Sequence, residues 1–245
     1  VDGSQVNNRG YYTGLLHYNI SYRTSQVIKI NLIKIQVITM KLLIATNNPG
    51  KMREIQAILG DLPLELVTPA GLGLNLDVEE SASTYAENAA LKAHGFTAAS
   101  GLISLADDSG LEVDALGGEP GIRSARYAPQ AGASDADRRA YLLERLKGIP
   151  HPPHEPGWRA HFHCTVAIAT PAGELYFTEG RCDGFIINEE RGSNGFGYDP
   201  LFYIPEWNAT MAELSEETKN RISHRARALR NALPILRQLL GSETA

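Results

Sequence analysis

Apolar positions along this chain fall into short continuous runs and helical stripes that alternate. "KLLIAT", residues 41–46, is an apolar run of strand length, and the segment after it carries Met52, Ile55, Ile58 and Leu59 at helical spacing. A second strand is expected at "LELVTP". Thr84 and Glu87 form a T-x-x-E start signal for a helix whose Ala86, Ala89, Ala90, Ala93 and Phe96 share one face, with Asn88 and Lys92 one turn apart on another. "LISLADDSGLEV" reads as an apolar strand that ends at Asp107 and Asp108, with Ser109 and Gly110 turning the chain away. Ser134 and Asp137 cap a helix that runs to about Lys147 and is closed by Gly148. "AHFHCTVAIATPAGELYFTEG" reads as a hairpin turned at Pro171 and Gly173. A last helix shows Ile222, Ala226, Leu229, Leu233, Leu236 and Leu240 on one face, and Pro234 is expected to kink or restart it. Strands alternating with helices, followed by a hairpin, indicate an α/β fold with a mixed sheet.

Length and composition fit that picture. With 245 residues, 43% hydrophobic and 21% charged, the chain can bury a real core as one large domain or two small lobes. Residues 1–39 differ: "VIKINLIKIQVIT" is rich in β-branched residues but broken by Lys29, Asn31 and Lys34, and Met40 stands just before the first well-patterned strand. The expectation is that Met40 opens the folded domain, residues 40–245, and that 1–39 is an extension outside it rather than a functional arm. Formal net charge is -5, which argues against a general nucleic-acid binder; an acidic protein that takes a polyanion must gather its cations locally or recruit a metal ion. Cys164 and Cys182 are the only cysteines, with no C-x-x-C, so a reducing cytoplasm is the default and neither a zinc site nor a disulfide framework is indicated. No apolar run reaches the roughly 18 residues a membrane span needs.

Four clusters carry candidate chemistry. The loop Thr46-Asn47-Asn48-Pro49-Gly50-Lys51 delivers the chain from a strand to a helix N-terminus, where unpaired N–H groups, the helix dipole and the Lys51 charge suit a phosphate. The glycine-rich phosphate-loop motif is absent, and a plain turn before a helix is the alternative. Asp107 and Asp108 at a strand end suit a hard cation such as magnesium, or form an Asp-rich turn. In "GSNGFGYDP" the glycines Gly195 and Gly197 flank Phe196, which could stack on a flat aromatic ligand or fill the core. In "TKNRISHRAR", Lys219, Arg221, His224, Arg225 and Arg227 gather around Ser223, a helix-capping residue; cations there oppose the helix dipole, which a ligand with negative or carbonyl oxygens would explain. His161 and His163 share a strand face at a spacing a metal could use, but no third ligand is near; His151 and His154 sit in a proline-bearing loop and read as solvated.

Together these clusters form the inventory for a nucleoside triphosphate. The chain resembles the inosine triphosphate pyrophosphatase family through "TNNPGK", "EESASTYAENAALKA", "ADDSGLEVDALGGEPGIRSARY", "FHC", "GFGYDP" and "ISHRA", in family order from about Met40 to Leu240. The resemblance implies a long curved mixed sheet with flanking helices, two lobes around a central substrate cleft, a magnesium requirement and a homodimer. It implies hydrolysis of deaminated purine nucleoside triphosphates to monophosphate and pyrophosphate. Carried over by motif, Thr46 to Lys51 hold the triphosphate, Glu79 and Asp108 hold the metal, and Asp108 is also the base. Ser109 contacts substrate, Phe196, Gly197, Tyr198 and Asp199 hold the base and sugar region, and Lys219, His224 and Arg225 complete the base pocket. Lys51, joined by Lys92, would stabilise the transition state. Arg225 and its neighbours supply donors and few acceptors, which suits a purine with oxygen at position 6. The alternatives are a related pyrophosphatase for other nucleotides and a nucleotide-binding regulator without turnover.

Overall fold

The computed structural model describes residues 40–242; the expectations for residues 1–39 lie outside the described residues. Seven strands form one sheet in the order β2-β1-β3-β4-β5-β6-β7. β1 (Met40–Ile44), β2 (Leu64–Val67) and β3 (Ile103–Val113) are parallel neighbours, while β4 (Trp158–Ala169), β5 (Leu175–Ile186), β6 (Phe202–Ile204) and β7 (Ala209–Thr210) continue the sheet antiparallel. The parallel pairs are joined by helical crossovers, α1 (Pro49–Leu59) and α2 (Tyr85–Ser100), as parallel strands require. α3 (Asp135–Leu146), α4 (Glu216–Ile222) and α5 (His224–Ser242) complete the described residues. This is the expected mixed sheet with flanking helices. Among the described residues no helix is long and apolar enough to cross a membrane.

Each helix begins where its sequence supplies a cap. Thr84 accepts from the Glu87 N–H to start α2, and Ser134 and Asp137 form a reciprocal capping box at α3. Ser223 ends α4 in an extended conformation and its Oγ accepts from the Ala226 N–H, so it caps α5 as expected. α5 does not restart at Pro234: the helix continues through it, held by Leu229, Ala232, Leu236 and Leu239 buried against the sheet. Burial of that stripe outweighs the hydrogen bond that proline removes.

A second correction falls on β3. The chain does not turn away at Ser109-Gly110; the strand runs on to Val113, with Ser109 opposite Cys164 and Gly110 opposite His163. Glycine stands at 110 because a Cβ there would lie 2.2 Å from the Gly121 carbonyl oxygen and 2.6 Å from the Tyr85 hydroxyl. What reads as turn chemistry is close packing inside a strand.

Buried side chains form separate clusters at the two ends of β3 and β4. One gathers Leu111, Phe162, Ile186 and Phe202 with Leu142 and Leu146 of α3; another packs Leu42, Ile44, Leu105 and Val166 under α1 and α5. The opposite sheet face carries Leu43, Ala106 and Ala167 beneath Ala89, Ala93 and Phe96 of α2. Residues 107–110 of β3, between these clusters, carry the chemistry.

The start of α5 is fixed on β5 by three side-chain bonds to backbone: Thr178 Oγ1 donates to the Ala228 carbonyl (2.8 Å), Asn231 Nδ2 to that of Glu179 (2.9 Å) and Arg227 Nη1 to that of Arg181 (2.8 Å). Gly180 lets the two elements meet, since a Cβ there would lie 2.1 Å from the His224 carbonyl oxygen and 2.5 Å from the Ala228 nitrogen. Both are backbone atoms and cannot rotate aside. Gly180→Ala is therefore expected to destabilise the protein by about 1–3 kcal/mol in urea unfolding, the usual range for overpacking. An unchanged midpoint would mean that α5 does not press on β5 here.

Candidate active site

Successive residues of a strand point to opposite sheet faces, so Asp107 and Asp108 diverge instead of pairing on one ion. Asp107 is buried toward α1 and α5. Its Oδ2 lies 3.0 Å from Lys51 Nζ and accepts from Arg225 Nε at 3.0 Å. Burial alone would raise this carboxyl, but Lys51, Arg225 and Lys92 hold it well below the ordinary carboxylate range. Asp108 faces α2, where Asn88 Nδ2 donates to its Oδ2 at 3.2 Å and Lys92 Nζ lies 3.8 Å from its Oδ1. Burial pushes Asp108 upward, Lys92 opposes that and Glu80 adds to it, so the net shift is toward a more basic carboxylate.

The loop before α1 holds a third correction. Asn48 is the helix cap, and its side-chain oxygen accepts from both Gly50 N (2.8 Å) and Lys51 N (3.1 Å). Pro49 has no N–H and Met52 N bonds to the Asn48 carbonyl, so the free N–H groups expected at this helix end are already satisfied. Attraction for an anion here rests on the Lys51 ammonium and the helix dipole. Gly50 is buried under the Phe196 ring, which a Cβ would approach to 2.6 Å.

The Arg225 guanidinium is also committed. It donates to Asp107 through Nε, to Glu54 Oε2 through Nη1 and to Ser109 Oγ through Nη2 at 2.9 Å, and it is almost fully buried. These bonds use three of its five N–H donors and give Arg225 a structural role, while the residue also lines the cleft with its guanidinium 5.6 Å from the Phe196 ring centroid, so contact with a base rests on the donors that are left. Glu54, one helical turn after Gly50 on α1, was not anticipated; it joins Arg225 to Lys219, whose Nζ lies 2.8 Å from Glu54 Oε1 and 2.6 Å from Asp199 Oδ2. Its spacing along α1 was the available signal. His224 stacks on Phe162 at 4.7 Å with 13° between the rings. Burial first, and then the charges of Arg225 and Lys219, hold its imidazole well below the usual histidine range, so it is neutral near pH 7.

Glu79 is exposed and outside the cleft lining; the acidic residues of this segment that line the cleft are Asp77 and Glu80, and Glu80 Oε1 accepts from Lys92 Nζ at 2.9 Å. Val78 and Glu80 are half-buried, while Asp77 and Glu79, which alternate with them, are exposed. Of the remaining expected residues, Pro49 and Gly50 lie outside the cleft lining and the others converge. Thr46, Asn47, Asn48, Lys51, Lys92, Asp108, Ser109, Phe196, Gly197, Tyr198, Asp199, Lys219, His224 and Arg225 all line one cleft of about 380 Å³. The Phe196 ring has Lys219 Nζ 4.7 Å from its centroid. His161 pairs with Glu112 at 3.1 Å and His163 stacks on Tyr85 at 4.9 Å; both lie on the sheet away from this cleft-lining set. Among the described residues no group of three or more His, Cys, Asp or Glu is placed to hold a metal.

An α/β sheet whose cleft sets a lysine at a helix N-terminus across from a basic carboxylate defines, as a class, a phosphate-handling protein of the open-sheet kind. The chain belongs to the Ham1 family, whose sequence model matches residues 42–235. It is 46% identical over 200 residues to a dITP/XTP pyrophosphatase of Desulforamulus reducens, covering 82% of this chain and 97% of that protein. It is 47% identical over 194 residues to a dITP/XTP pyrophosphatase of Thermus thermophilus, covering 79% and 90% respectively. Among solved structures, a HAM1 protein from Coxiella burnetii superposes with a TM-score of 0.73 at 38% identity, covering 81% of this chain and 99% of that one.

Neutral, buried His224 has a pH consequence. Its folded value lies below the unfolded value of 6.5, so the unfolded chain binds the extra proton first; this contribution to stability is complete above about pH 6.5 and is lost as pH falls below it. The loss is at most about 1.4 kcal/mol per pH unit. His224→Gln should flatten the acid side of the stability curve between pH 6.5 and 5, measured by urea unfolding. Equal acid sensitivity in both proteins would show that the imidazole is protonated in the folded state.

Proposed function

We propose that this chain hydrolyses deaminated purine nucleoside triphosphates, ITP, dITP and XTP, to the monophosphate and pyrophosphate. The observation that carries the reading is that one cleft holds Lys51 at the start of α1, Asp108 on β3 and the Phe196 loop together. The names of the relatives agree with it. The domain responsible is residues 40–245, with 1–39 an appendage.

Lys51 and Lys92 place positive charge where a triphosphate would lie, and Asp108, raised by burial, is suited to accept the proton of an attacking water. Lys92 Nζ also donates to the Asp107 carbonyl at 2.6 Å, which fixes the ammonium beside Asp108. The donors fit magnesium: Asp108 and Glu80 offer only oxygen, and two carboxylates leave positions for substrate phosphates and water, the usual pattern for that ion. When bound, magnesium would neutralise developing phosphate charge and acidify water. Homodimeric assembly, implied by the resemblance, and a cytoplasmic setting, supported by two free buried cysteines, complete the reading.

Selectivity for oxygen at position 6 is assigned to Lys219 and the backbone of Gly195 to Tyr198. Lys219 has three donors, of which Asp199 and Glu54 take two, so one remains for a base carbonyl. Adenine's amino group would face that donor unpaired, a mismatch of roughly 1–3 kcal/mol or ten- to a hundredfold.

The test is a hydrolysis panel of ITP, XTP, dITP, GTP and ATP with magnesium, reading pyrophosphate. ITP, dITP and XTP should exceed ATP in kcat/KM by at least about tenfold, and Asp108→Asn should lower turnover roughly a hundredfold or more in a folded protein. Binding without turnover would favour a nucleotide-binding regulator.

The two cations near Phe196 should separate in the same assay. Both Lys219→Ala and Arg225→Ala should lower stability, since each breaks the buried ion pairs, but Lys219→Ala is expected to narrow the ITP-to-ATP ratio whereas Arg225→Ala should lower activity on every substrate and leave that ratio alone. A ratio that collapses in Arg225→Ala would return base reading to the guanidinium.

A further inference from the structure

Phe196 sits between two glycines with positive φ, Gly195 at +78° and Gly197 at +63°. Nothing lies within 4 Å of a Cβ built at Gly197, so the glycine answers to backbone angle and not to crowding. A segment of this kind has much conformational freedom to lose and needs outside restraint to present a ring at one tilt. From inside the loop, Asp199 Oδ2 accepts from the Phe196 N–H at 2.9 Å. From outside, α3 takes both polar groups of Gly197: Asp135 Oδ2 accepts from its N–H at 2.7 Å and Arg139 Nη1 donates to its carbonyl at 2.9 Å. Each of these side chains is itself anchored, Arg139 by Glu190 (Nη2 to Oε2, 3.0 Å) and Asp135 by Arg138. The capping box at Ser134 and Asp137 sets the first turn of α3, and with it the position of Asp135.

We propose that Asp135 and Arg139 are positioning residues that set the tilt of the Phe196 ring by gripping the peptide groups on both sides of Gly197. This rests on the reading above that Phe196 carries the base. Arg139 lies outside the cleft lining, and Asp135, which is part of it, acts here through the Gly197 peptide it holds. The effect of releasing the grip falls chiefly on the nucleoside half of the ligand: Gly50 packs under the ring, but the Lys51 ammonium is held by Asp107 and Asp108 by Asn88.

The experiment compares Arg139→Ala and Asp135→Ala with the conservative Arg139→Lys and Asp135→Asn, measuring kcat and KM for ITP and inhibition by inosine monophosphate and by pyrophosphate. Loss of a charge-assisted hydrogen bond is expected to raise KM and the monophosphate inhibition constant by roughly tenfold. Pyrophosphate inhibition should stay unchanged, kcat should change less, and the conservative variants should recover most of the loss. In a Phe196→Ala background, Arg139→Ala should add almost nothing. Monophosphate and pyrophosphate binding weakening together, or the full Arg139→Ala loss persisting without Phe196, would overturn the proposal. Unchanged kinetics in variants of an enzyme that does hydrolyse ITP would overturn it alone; wild-type protein that neither cleaves ITP nor binds the monophosphate would overturn the functional reading and the grip's purpose with it.

Discussion

The carboxylate of Asp107 lies buried between Lys51 and Arg225, and from it a chain of alternating charges runs through Arg225 to Glu54, to Lys219 and to Asp199. Three anions and three cations share that chain, so each buried charge has a partner of opposite sign, which is the condition for burying any of them. The links join α1, β3, α5, α4 and the Phe196 loop, elements far apart in sequence. Removing Lys219 would leave Asp199 buried without its cation, at a cost of about 3–5 kcal/mol, whereas Asp107 and Glu54 each keep a second partner when one is lost. The chain is thus what holds the walls of the cleft at fixed separations.

Division of labour between the two aspartates follows from strand geometry. Period-two alternation sends Asp107 into the charge chain and Asp108 to the opposite face, where Asn88, Lys92 and Glu80 surround it. One carboxylate is held ionised and serves structure; the other, which burial pushes toward higher basicity, is the one the proposed mechanism assigns to metal and water. Lys51 connects the two roles. On the proposed reading, a phosphate at the α1 terminus would meet an ammonium that already has Asp107 as a partner, and Arg225 would continue to hold the aspartate.

Local signals in the sequence were sufficient for the strand-loop-helix entry at Thr46 to Lys51, the caps at Thr84, Ser134 and Ser223, and the hairpin of β4 and β5, because caps and periodicity act over a few residues. Ordered motifs identified the family. Where sequence and structure differ at Gly110 and Arg225, the cause is partners supplied by distant parts of the chain. Gly110 read as a turn because Gly121 and Tyr85, which crowd it, are not its neighbours in sequence. Arg225 read as a free donor because Asp107 lies 118 residues away and Glu54 171 residues away. Glu80 was passed over for Glu79 because the extended segment alternates and only packing decides which of the two turns inward. At Asn48 the difference is local: its side chain satisfies the Gly50 and Lys51 N–H groups, which leaves the Lys51 ammonium as the loop's charge.

The central claim is that this arrangement cleaves a nucleoside triphosphate between its first and second phosphates. Phosphorus NMR of ITP incubated with the protein and magnesium tests it most directly. The account predicts inosine monophosphate and pyrophosphate growing in equal amounts with no orthophosphate. Orthophosphate appearing with inosine diphosphate, or an unchanged ITP spectrum in the presence of folded protein, would contradict it.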